Sequence, residues 1–264
     1  MEAELGEYAE VKTFHAYCKK LLHERNGRIE LSPFLSKVIE SDAIALGYHL
    51  SNFDEKFQTL AENAPEIGFY LDRGDYYEVV SFNDSVFRLF KAVRDGAFEL
   101  PIYDQVVVDE FQDFNPLEVA LINEIEKGSP IVIVGDDDQA VYHLRNSSPD
   151  HLREKYYSGS YETYQLPYCT RCPQVIVNAT NAFIHGVIER GGFSSRIDRP
   201  FAPYLEGKEY ENSAYPKIIS ATTTNISSLT KLVVSEIRRI PNVDVEDARK
   251  KNYPCVLIVA WIQL

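Results

Sequence analysis

Apolar and polar positions alternate along this chain in a pattern typical of a protein that mixes helices and strands. Two short β-branched runs, Val106–Val108 and Ile131–Val134, each end abruptly in acidic residues. A run of this length bounded by polar turns is typical of a strand buried on both faces, as in a parallel sheet. Between the runs, residues 116–127 place apolar side chains at helical spacing, with Pro116 in the first turn. The pattern predicts a βαβ unit whose two strands are neighbours.

Helical spacing also marks much of the remaining chain. Residues 10–25 predict a short strand end followed by an amphipathic helix, and residues 83–93 predict another helix that begins at the cap residue Asn83. The region 31–99 shows no visible chemistry, and we assign its aromatic residues to a core. These are Phe53, Phe57, Tyr70, Tyr76 and Tyr77. The other predicted elements are strands at 162–166, 217–220 and 256–260, a helix that follows Pro173, and a helix at 226–240.

The acidic residues lie where the two predicted strands end. Asp109 and Glu110 follow the first strand, and residues 136–138 follow the second. The carboxyl ends of parallel strands meet at one edge of an open α/β sheet, where such sheets bind ligands. Neighbouring carboxylates repel each other unless a hard cation lies there, and Mg²⁺ prefers carboxylates, water and substrate phosphates as ligands. We therefore expect Asp109 to hold Mg²⁺, directly or through water.

Two further residues suit the hydrolysis of a phosphate. Glu110 would orient or deprotonate the water molecule that attacks a γ-phosphate. Gln139 carries both a donor and an acceptor, so it could sense the γ-phosphate or the attacking water from the adjacent strand. A solvated acidic strand end is the simpler interpretation of a single Asp-Glu pair. Here DEFQD and GDDDQ follow consecutive predicted strands, and the combination favours a nucleotide site.

These two segments resemble motifs of a known family. DEFQD, residues 109–113, resembles motif II, and GDDDQAVYHLR, residues 135–145, resembles motif III of the superfamily 1 DNA helicases of the UvrD, Rep and PcrA type. The resemblance implies two RecA-like domains that clamp ATP and Mg²⁺ between them. It also implies translocation on single-stranded DNA, or binding at a junction of single and double strands. Within this family resemblance, Gln112 is assigned to the nucleotide site.

The resemblance extends to residues that follow these motifs. Tyr142 matches an aromatic residue on which bases of the single strand stack, although Leu144 stands where a second aromatic residue is usual. Arg145 matches an arginine that links the phosphate site to this segment. Arg171 aligns with the motif IV arginine that reaches the γ-phosphate, a task that suits its planar, permanently charged group. Thr170 stands where the family has a tyrosine that stacks on adenine.

The first predicted helix also resembles part of the family. Thr13 and His15 match the T-x-H portion of motif Ib, which contacts the DNA backbone. The densest basic cluster in the first half of the chain surrounds them, at Lys12, Lys19, Lys20, Arg25 and Arg28. A capped amphipathic helix in which His15 is packed against other residues explains the same pattern without DNA. The resemblance favours the DNA contact.

The family resemblance predicts how the chain is organised. Residues 1–30 and 100–158 correspond to part of RecA-like domain 1A, residues 31–99 to a helical insert of the 1B type, and residues 159–264 to the beginning of RecA-like domain 2A. No G-x-x-x-x-G-K-[ST] occurs in the sequence, and this is the loop that cradles the triphosphate. We expect the chain to be a fragment of an ATP-dependent DNA helicase that hydrolyses no ATP alone. A companion chain could carry the missing loop.

Two other functions compete with this interpretation. The first is a non-catalytic fragment that binds DNA or a partner protein. The second is a metal-dependent nuclease that uses Asp109, Glu110, Asp113 and Asp136 around two metal ions. Nucleases of the restriction type place a lysine beside the second carboxylate, and no lysine follows either acidic cluster. The sequence therefore disfavours the nuclease.

Composition limits the kinds of partner and the cellular compartment that we expect for this protein. The net charge of −13 argues against a protein that coats nucleic acid by bulk electrostatics, but it permits a local basic groove. No apolar run approaches the roughly 20 residues that span a bilayer, and the acidic start does not resemble a signal peptide, so no membrane partner is expected. Four cysteines favour a reducing, cytoplasmic setting. Cys169 and Cys172 form a C-x-x-C without a second pair, so we expect neither a zinc site nor a redox role.

Overall fold

The computed structural model describes residues 9–27, 29–140, 146–193, 195–215, 218 and 225–252. These residues form helices and short parallel strands, which confirms the α/β class. The chain separates into two compact units, residues 1–163 with 195–197 and residues 164–194 with 198–264. The RecA-like arrangement and the assignment to domains 1A, 1B and 2A stay predictions.

The first unit holds most of the described helices. Its elements in chain order are α1 (Phe14–Asn26), β1 (Glu30–Leu31), α2 (Leu35–Ala45), α3 (Phe53–Gln58), α4 (Pro65–Tyr77), β2 (Val79–Val80), α5 (Phe82–Arg94), β3 (Val106–Val108), α6 (Pro116–Glu126), β4 (Ile131–Ile133) and α7 (Asp150–Tyr157). A 3₁₀ turn, Phe111–Asp113, lies between β3 and α6. β1 pairs in parallel with β2, and β3 pairs in parallel with β4.

A hydrophobic core lies among helices α1 to α6. The rings of Phe53, Phe57 and Tyr70 are fully buried in it, and the ring centroids of Phe57 and Tyr70 are 4.9 Å apart. The predicted aromatic core is confirmed for these three residues. It is wrong for Tyr76, which is 71% exposed. The guanidinium of Arg73 lies 4.7 Å from the centre of the Tyr76 ring, at the solvent side of α4.

The cap of helix α5 lies two residues earlier than its sequence pattern indicates. Ser81 caps the helix, because its hydroxyl accepts a hydrogen bond from the backbone N–H of Asp84 at 3.4 Å. The predicted cap, Asn83, lies inside the helix and donates from its side chain to Asp54 at 2.8 Å. Both residue types are good caps, so the pattern alone could not choose between them.

Strands β3 and β4 form the parallel pair that the sequence predicts. Val106, Val107 and Val108 lie opposite Ile131, Val132 and Ile133. The hydrogen bonds continue beyond the strands, because the backbone N–H of Val134 donates to the carbonyl of Val108 at 2.8 Å. The prediction that the two strands are adjacent and parallel is therefore confirmed.

The predicted burial of both strand faces is wrong. One face packs against a small cluster that includes Phe111, Ile122 and Leu152. On the other face Val107 is 64% exposed and Val132 is 40% exposed. A two-stranded sheet with helices on one side can bury only alternate residues, because successive side chains point to opposite faces. Within the described residues this sheet is therefore half covered.

Helix α6 crosses between the two strands and touches both cores. Asn115 caps it, and the side chain of Glu118 returns a hydrogen bond to the backbone N–H of Asn115 at 3.0 Å, which completes a capping box. Leu117 and Leu121 are buried in the helical core, whereas Ile122 is buried in the cluster beneath β3 and β4. The helix thus ties the strand pair to the larger core.

The second unit is built from short elements. They are β5 (Tyr168–Cys169), α8 (Gln174–Ile188), β6 (Ala202–Pro203), α9 (Glu209–Ala214), α10 (Ile226–Ile237) and α11 (Asn242–Lys250). β5 and β6 are parallel, with Tyr168 opposite Ala202. The helix predicted after Pro173 is α8, and the helix predicted at 226–240 is α10, so both are confirmed.

The strand predicted at residues 162–166 is wrong. This segment is not a strand, and the strand β5 begins only after Pro167, whose carbonyl accepts a hydrogen bond from Ala202 at 2.8 Å. Leu166 is 81% exposed, because the segment lacks a partner strand among the described residues. The strands predicted at 217–220 and 256–260 lie outside the described residues, Ile218 excepted. In the described part of the chain, every helix is too short or too polar to cross a membrane.

A candidate phosphate site at the ends of two strands

The two acidic segments lie side by side because the β3–β4 ladder extends into them. After Val108 the chain turns at Asp109 and Glu110, and the backbone N–H of Phe111 then donates to the carbonyl of Val134 at 3.0 Å. This hydrogen bond pins the start of the 3₁₀ turn to the end of β4. Motif II and motif III therefore meet at one edge of the sheet, as expected for the carboxyl ends of parallel strands.

Glu110 has an unusual backbone conformation for a residue with a side chain. Its φ is 54° and its ψ is 41°, in the left-handed region. The carboxylate of Asp109 accepts a hydrogen bond from the backbone N–H of Glu110 at 2.9 Å, which helps to hold this turn. Left-handed non-glycine residues cost about 1 kcal/mol or more and are concentrated at functional sites. Both carboxylates are exposed at the edge of the sheet.

Gln112 joins the two motifs. Its side chain is 1% exposed, and its Nε2 donates to a carboxylate oxygen of Glu110 at 2.6 Å. Its Oε1 accepts a hydrogen bond from the backbone N–H of Asp136 at 3.0 Å. Residues 135–140, which follow β4, are called the motif III loop. The amide of Gln112 therefore fixes the direction of the Glu110 carboxylate relative to this loop. The nucleotide contact predicted for Gln112 stays a prediction, and the observed contacts are those of a residue that positions Glu110.

Gly135 permits this close approach. A Cβ at this position would lie 2.8 Å from Oε1 of Gln112 and 3.3 Å from the backbone nitrogen of Phe111. Both distances are shorter than side-chain atoms normally tolerate, and a backbone atom cannot be moved aside cheaply. The glycine of GDDDQ is thus required by the bridge between the motifs.

Gln139 lies on the loop that follows β4, and its side chain is exposed. Its Nε2 donates to the carboxylate of Asp136 at 2.7 Å, and its backbone N–H donates to the carbonyl of Asp136 at 3.0 Å. The other carboxylate oxygen of Asp136 accepts from the backbone N–H of Asp138 at 3.0 Å. Asp136 therefore organises the loop, and Gln139 faces solvent on the same edge as Glu110.

Asp136, Asp137 and Asp138 bring three carboxylates within 4.8 Å of one another. Two of them are engaged by arginines. Asp137 is buried and accepts from the guanidinium of Arg153 at 2.9 Å, and Asp138 accepts from two guanidinium nitrogens of Arg196 at 2.7 and 2.8 Å. These ion pairs neutralise two of the three charges. The arrangement is therefore more consistent with a structured loop than with a three-carboxylate metal cage.

A hard cation would find suitable ligands at the exposed part of this edge. Asp109 is exposed beside the motif III loop, and carboxylate oxygens with open coordination positions suit Mg²⁺ with water and phosphate. The four carboxylates of the competing nuclease hypothesis do not form a compact group. Among the described residues, the only cluster of three or more ligands within 4.8 Å is the one at 136–138.

Thr13 and His15 have structural contacts. The hydroxyl of Thr13 caps α1 by accepting from the backbone N–H of Ala16 at 3.3 Å. Nε2 of His15 lies 3.4 Å from the carboxylate of Glu118, and the His15 side chain is 19% exposed. The basic cluster around them is partly neutralised, because Lys12 and Lys20 both contact Glu10 at 2.8 Å. The DNA contact of Thr13 and His15 stays a prediction.

Arg171 lies in the second unit between two cysteines. It is exposed in the turn after β5, and its carbonyl accepts a hydrogen bond from Nζ of Lys208 at 3.2 Å. Burial opposes ionisation of the Cys169 thiol, but hydrogen bonds from the backbone of Cys172 and Arg171 lower its pKa below the usual value. Burial and the neighbouring Cys169 raise the pKa of the Cys172 thiol. Tyr142 and Arg145 lie outside the described residues.

The sequence pattern did not reveal the arginines that hold motif III. Arg153 lies 16 residues and Arg196 lies 58 residues from its aspartate partner. Such distances leave no local signal, since helical or strand periodicity reports only on near neighbours. The bridging geometry of Gln112 was also missed, although the residue itself was assigned to the site.

Comparison with known proteins agrees with this geometry. Residues 68–158 match the family of the UvrD/REP helicase N-terminal domain. The matched segment contains both motifs up to α7. The match therefore includes the residues that form the sheet edge described above.

Named relatives point to the same family. The chain is 28% identical over 168 residues to an ATP-dependent helicase/nuclease (its A subunit) of Oenococcus oeni, covering 61% of this chain and 13% of that protein. It is 29% identical over 128 residues to DNA helicase II of Haemophilus influenzae, covering 47% of this chain and 18% of that protein. The corresponding helicase/nuclease of Syntrophomonas wolfei is 27% identical over 88% of this chain, which is 20% of that protein.

The chain therefore spans a fifth or less of the length of these relatives. The family match nevertheless includes both motifs that meet at the sheet edge, and the named relatives are helicases. The resemblance of this chain to the UvrD/Rep-type superfamily 1 helicases is confirmed.

Proposed function

We propose that this chain belongs to an ATP-dependent DNA helicase that translocates on single-stranded DNA, and that the β3–β4 edge handles the metal ion and the γ-phosphate. The observation that carries the proposal is the bridge made by Gln112. It holds the Glu110 carboxylate at 2.6 Å and the backbone of Asp136 at 3.0 Å, and so fixes motif II against motif III. A solvated acidic edge would not need a buried amide between its two halves.

Asp109 would hold Mg²⁺, directly or through water. The metal ion, when bound, neutralises the charge that develops on the phosphate oxygens. The remaining steps fall to the chain itself. Glu110 lies in a left-handed turn, and one of its carboxylate oxygens accepts a hydrogen bond from Gln112. It would orient the attacking water or accept a proton from it. Because the Glu110 carboxylate is already held in one direction, it does not have to be oriented before the water attacks.

Gln139 would sense the γ-phosphate or the attacking water. Its amide donates to Asp136 at 2.7 Å and is exposed, so it could exchange this contact for a phosphate oxygen. Arg171 would supply the arginine finger for the γ-phosphate that the family resemblance implies, since its exposed guanidinium offers a planar fork. Arg145 would connect the phosphate site to the segment that carries Tyr142.

The DNA contacts are proposed from the family resemblance. Tyr142 would stack on a base of the single strand, and Thr13 and His15 would approach the DNA backbone. The substrate would be single-stranded DNA or a junction of single and double strands. A loop of the G-x-x-x-x-G-K-[ST] type is needed to grip the triphosphate, and the 264 residues do not contain one. We propose that this loop is supplied by another polypeptide segment.

A phosphate-release assay with Mg·ATP and oligo-dT tests this proposal. We expect no turnover from the 264 residues alone. When a polypeptide that carries the glycine–lysine loop is fused or added, we expect DNA-stimulated turnover. Glu110→Gln should lower that turnover by about 10²–10⁴-fold, because it removes a proton acceptor of the chemical step. Glu55→Gln, at an exposed glutamate of α3, is the matched control and should leave it unchanged.

Three results would contradict the proposal in different ways. Turnover by the 264 residues alone that Glu110→Gln abolishes would show that the separate loop is not required. DNA-stimulated turnover that survives Glu110→Gln would remove Glu110 from the chemical step. Mg²⁺-dependent cleavage of plasmid DNA by the chain would instead support the nuclease hypothesis.

A further inference from the structure

One short segment of the chain belongs to a different compact unit from the residues on either side of it. Residues 164–194 and 198–264 belong to the second unit, but Ser195–Ile197 belong to the first. We call Ser195–Ile197 the strap. It returns to the second unit through β6, which begins at Ala202. The chain therefore enters and leaves the first unit within a few residues, which means that specific contacts must hold it there.

The strap is attached to the motif III loop by charge and by backbone. Arg196 donates from two guanidinium nitrogens to the two carboxylate oxygens of Asp138, at 2.7 and 2.8 Å. The side chains of Arg196 and Asp138 are 6% and 23% exposed, so this bidentate pair is partly shielded from water. The backbone N–H of Ile197 donates to the carboxylate of Asp137 at 3.0 Å. Bidentate arginine–carboxylate pairs fix both distance and orientation.

Apolar packing and hydrogen bonds from helix α7 complete the attachment of the strap. Ile197 is 6% exposed and belongs to the cluster beneath β3 and β4. The hydroxyl of Tyr157 donates to the carbonyl of Arg196 at 3.2 Å, and Arg153 donates to the hydroxyl of Ser195 at 3.2 Å. Arg153 also holds Asp137, so one arginine serves both the loop and the strap. Every residue of the strap is thus bound by the first unit.

The loop that the strap grips is the loop that carries Gln139. Asp138 precedes Gln139, and the backbone N–H groups of both residues are tied to Asp136. Restricting Asp138 therefore restricts the next residue as well.

We propose that Arg196, in the strap, is the positioning residue that anchors the motif III loop through Asp138 and so holds Gln139 in register with Glu110. What the loop senses rests on the proposed function. The ordering of the loop by the strap does not depend on it.

Hydrogen exchange of the 264-residue chain, followed by mass spectrometry, tests whether Arg196 anchors the loop. We expect Arg196→Ala to raise the exchange rates of the amides at 136–139 by about ten-fold or more, because the loop loses its bidentate anchor. Arg196→Lys keeps the charge but not the fork, and should give an intermediate increase. Arg190→Ala, at an exposed arginine just after α8, is the matched control and should leave the loop unchanged.

The β3 amides at 106–108 serve as an internal control for folding. Their protection should be the same in all variants. A variant that loses protection there has lost the fold, and the Arg196→Lys comparison then decides the question. Unchanged exchange at 136–139 in both Arg196 variants would overturn the proposal.

A double variant tests whether the effect passes through the ion pair. Asp138→Asn should loosen the loop and also raise exchange at the amide of Ile197. Combined with Arg196→Ala, it should add little, because both changes break the same contact. Additive effects would show that Arg196 acts on the loop by another route, and would overturn the role proposed for the Arg196–Asp138 pair. Neither experiment requires ATP turnover, so a failure of the helicase proposal would be seen separately in the phosphate-release assay.

Discussion

The helical core and the strand pair of the first unit are built in opposite ways. In the helical core Phe53, Phe57 and Tyr70 are completely buried, and helices surround them. In the strand pair only one face is covered, and Val107 on the other face is 64% exposed. A two-stranded sheet alone is marginally stable. The comparison indicates that the helices stabilise the unit, whereas the strands position its acidic edge.

The helical core and the strand pair also differ in which charged side chains they bury. The helical region buries Asp84 against Arg88, at 2.7 Å, where no chemistry is expected. The strand pair leaves Asp109 and Glu110 exposed and buries the neutral Gln112, which bridges Glu110 and the backbone of Asp136. Exposed carboxylates can bind a cation, while a buried amide can orient them without a charge of its own.

Phe57→Ala should have the largest effect on stability. The ring is fully buried against Tyr70 and Phe87, so its removal should lower the free energy of unfolding by about 3–5 kcal/mol. Val107→Ala, on the open face of β3, should lower it by less than about 1 kcal/mol. Urea denaturation of both variants measures the difference. Equal losses would mean that the strand face is covered by part of the chain.

Asp84→Asn should change the pH dependence of stability. Burial raises the pKa of Asp84 to about 6, despite the attraction of Arg88 and with Asp75 adding repulsion. The unfolded pKa is near 3.9, so the stability from this group is complete below about pH 4 and is lost as the pH rises through about 6. The stability of wild type relative to Asp84→Asn should therefore fall by roughly 2–3 kcal/mol between pH 4 and 7.

Urea denaturation at several pH values between 4 and 7 measures this difference directly. Asn is neutral throughout the range, so the variant supplies the reference for every other titrating group. A difference that stays constant with pH would show that Arg88 keeps Asp84 ionised in the folded state.

Gly135→Ala and Gly68→Ala should have effects of opposite sign. At Gly135 the added methyl would meet Oε1 of Gln112 at 2.8 Å and the backbone of Phe111, which should destabilise the protein by about 1–3 kcal/mol. At Gly68, inside α4, a methyl would meet no atom within 4 Å. That substitution should stabilise by roughly 0.5–1 kcal/mol, because alanine favours the helix. Thermal unfolding of the two variants checks both signs, and destabilisation by both would contradict the role given to Gly135.

Thr13→Ala should lower the free energy of unfolding by about 1 kcal/mol, because α1 loses its cap. Thr13→Asn keeps a capping side chain and should retain most of the stability. Comparing both variants for unfolding and for oligo-dT binding separates capping from DNA contact. A loss of DNA binding in Thr13→Asn without a loss of stability would support the predicted contact.

Several features of the fold followed from local pattern. The β-branched runs before Asp109 and Asp136 predicted two neighbouring parallel strands, and the structure pairs them in register. Helical spacing after Pro116 predicted α6. These predictions succeeded because strand and helix periodicities are properties of adjacent residues. The cap of α5 was misplaced because Ser81 and Asn83 are both suitable residue types.

By itself, the sequence determined the acidic edge: two carboxylate clusters at the ends of neighbouring strands, with Gln139 close by. Only the tertiary structure decided how that edge is held. Gln112 bridges the two motifs, and Arg153 and Arg196 engage the aspartates of the loop from 16 and 58 residues away. It also decided that one sheet face is open. Contacts between residues distant in sequence depend on how the elements pack, and periodicity along the chain carries no record of that packing.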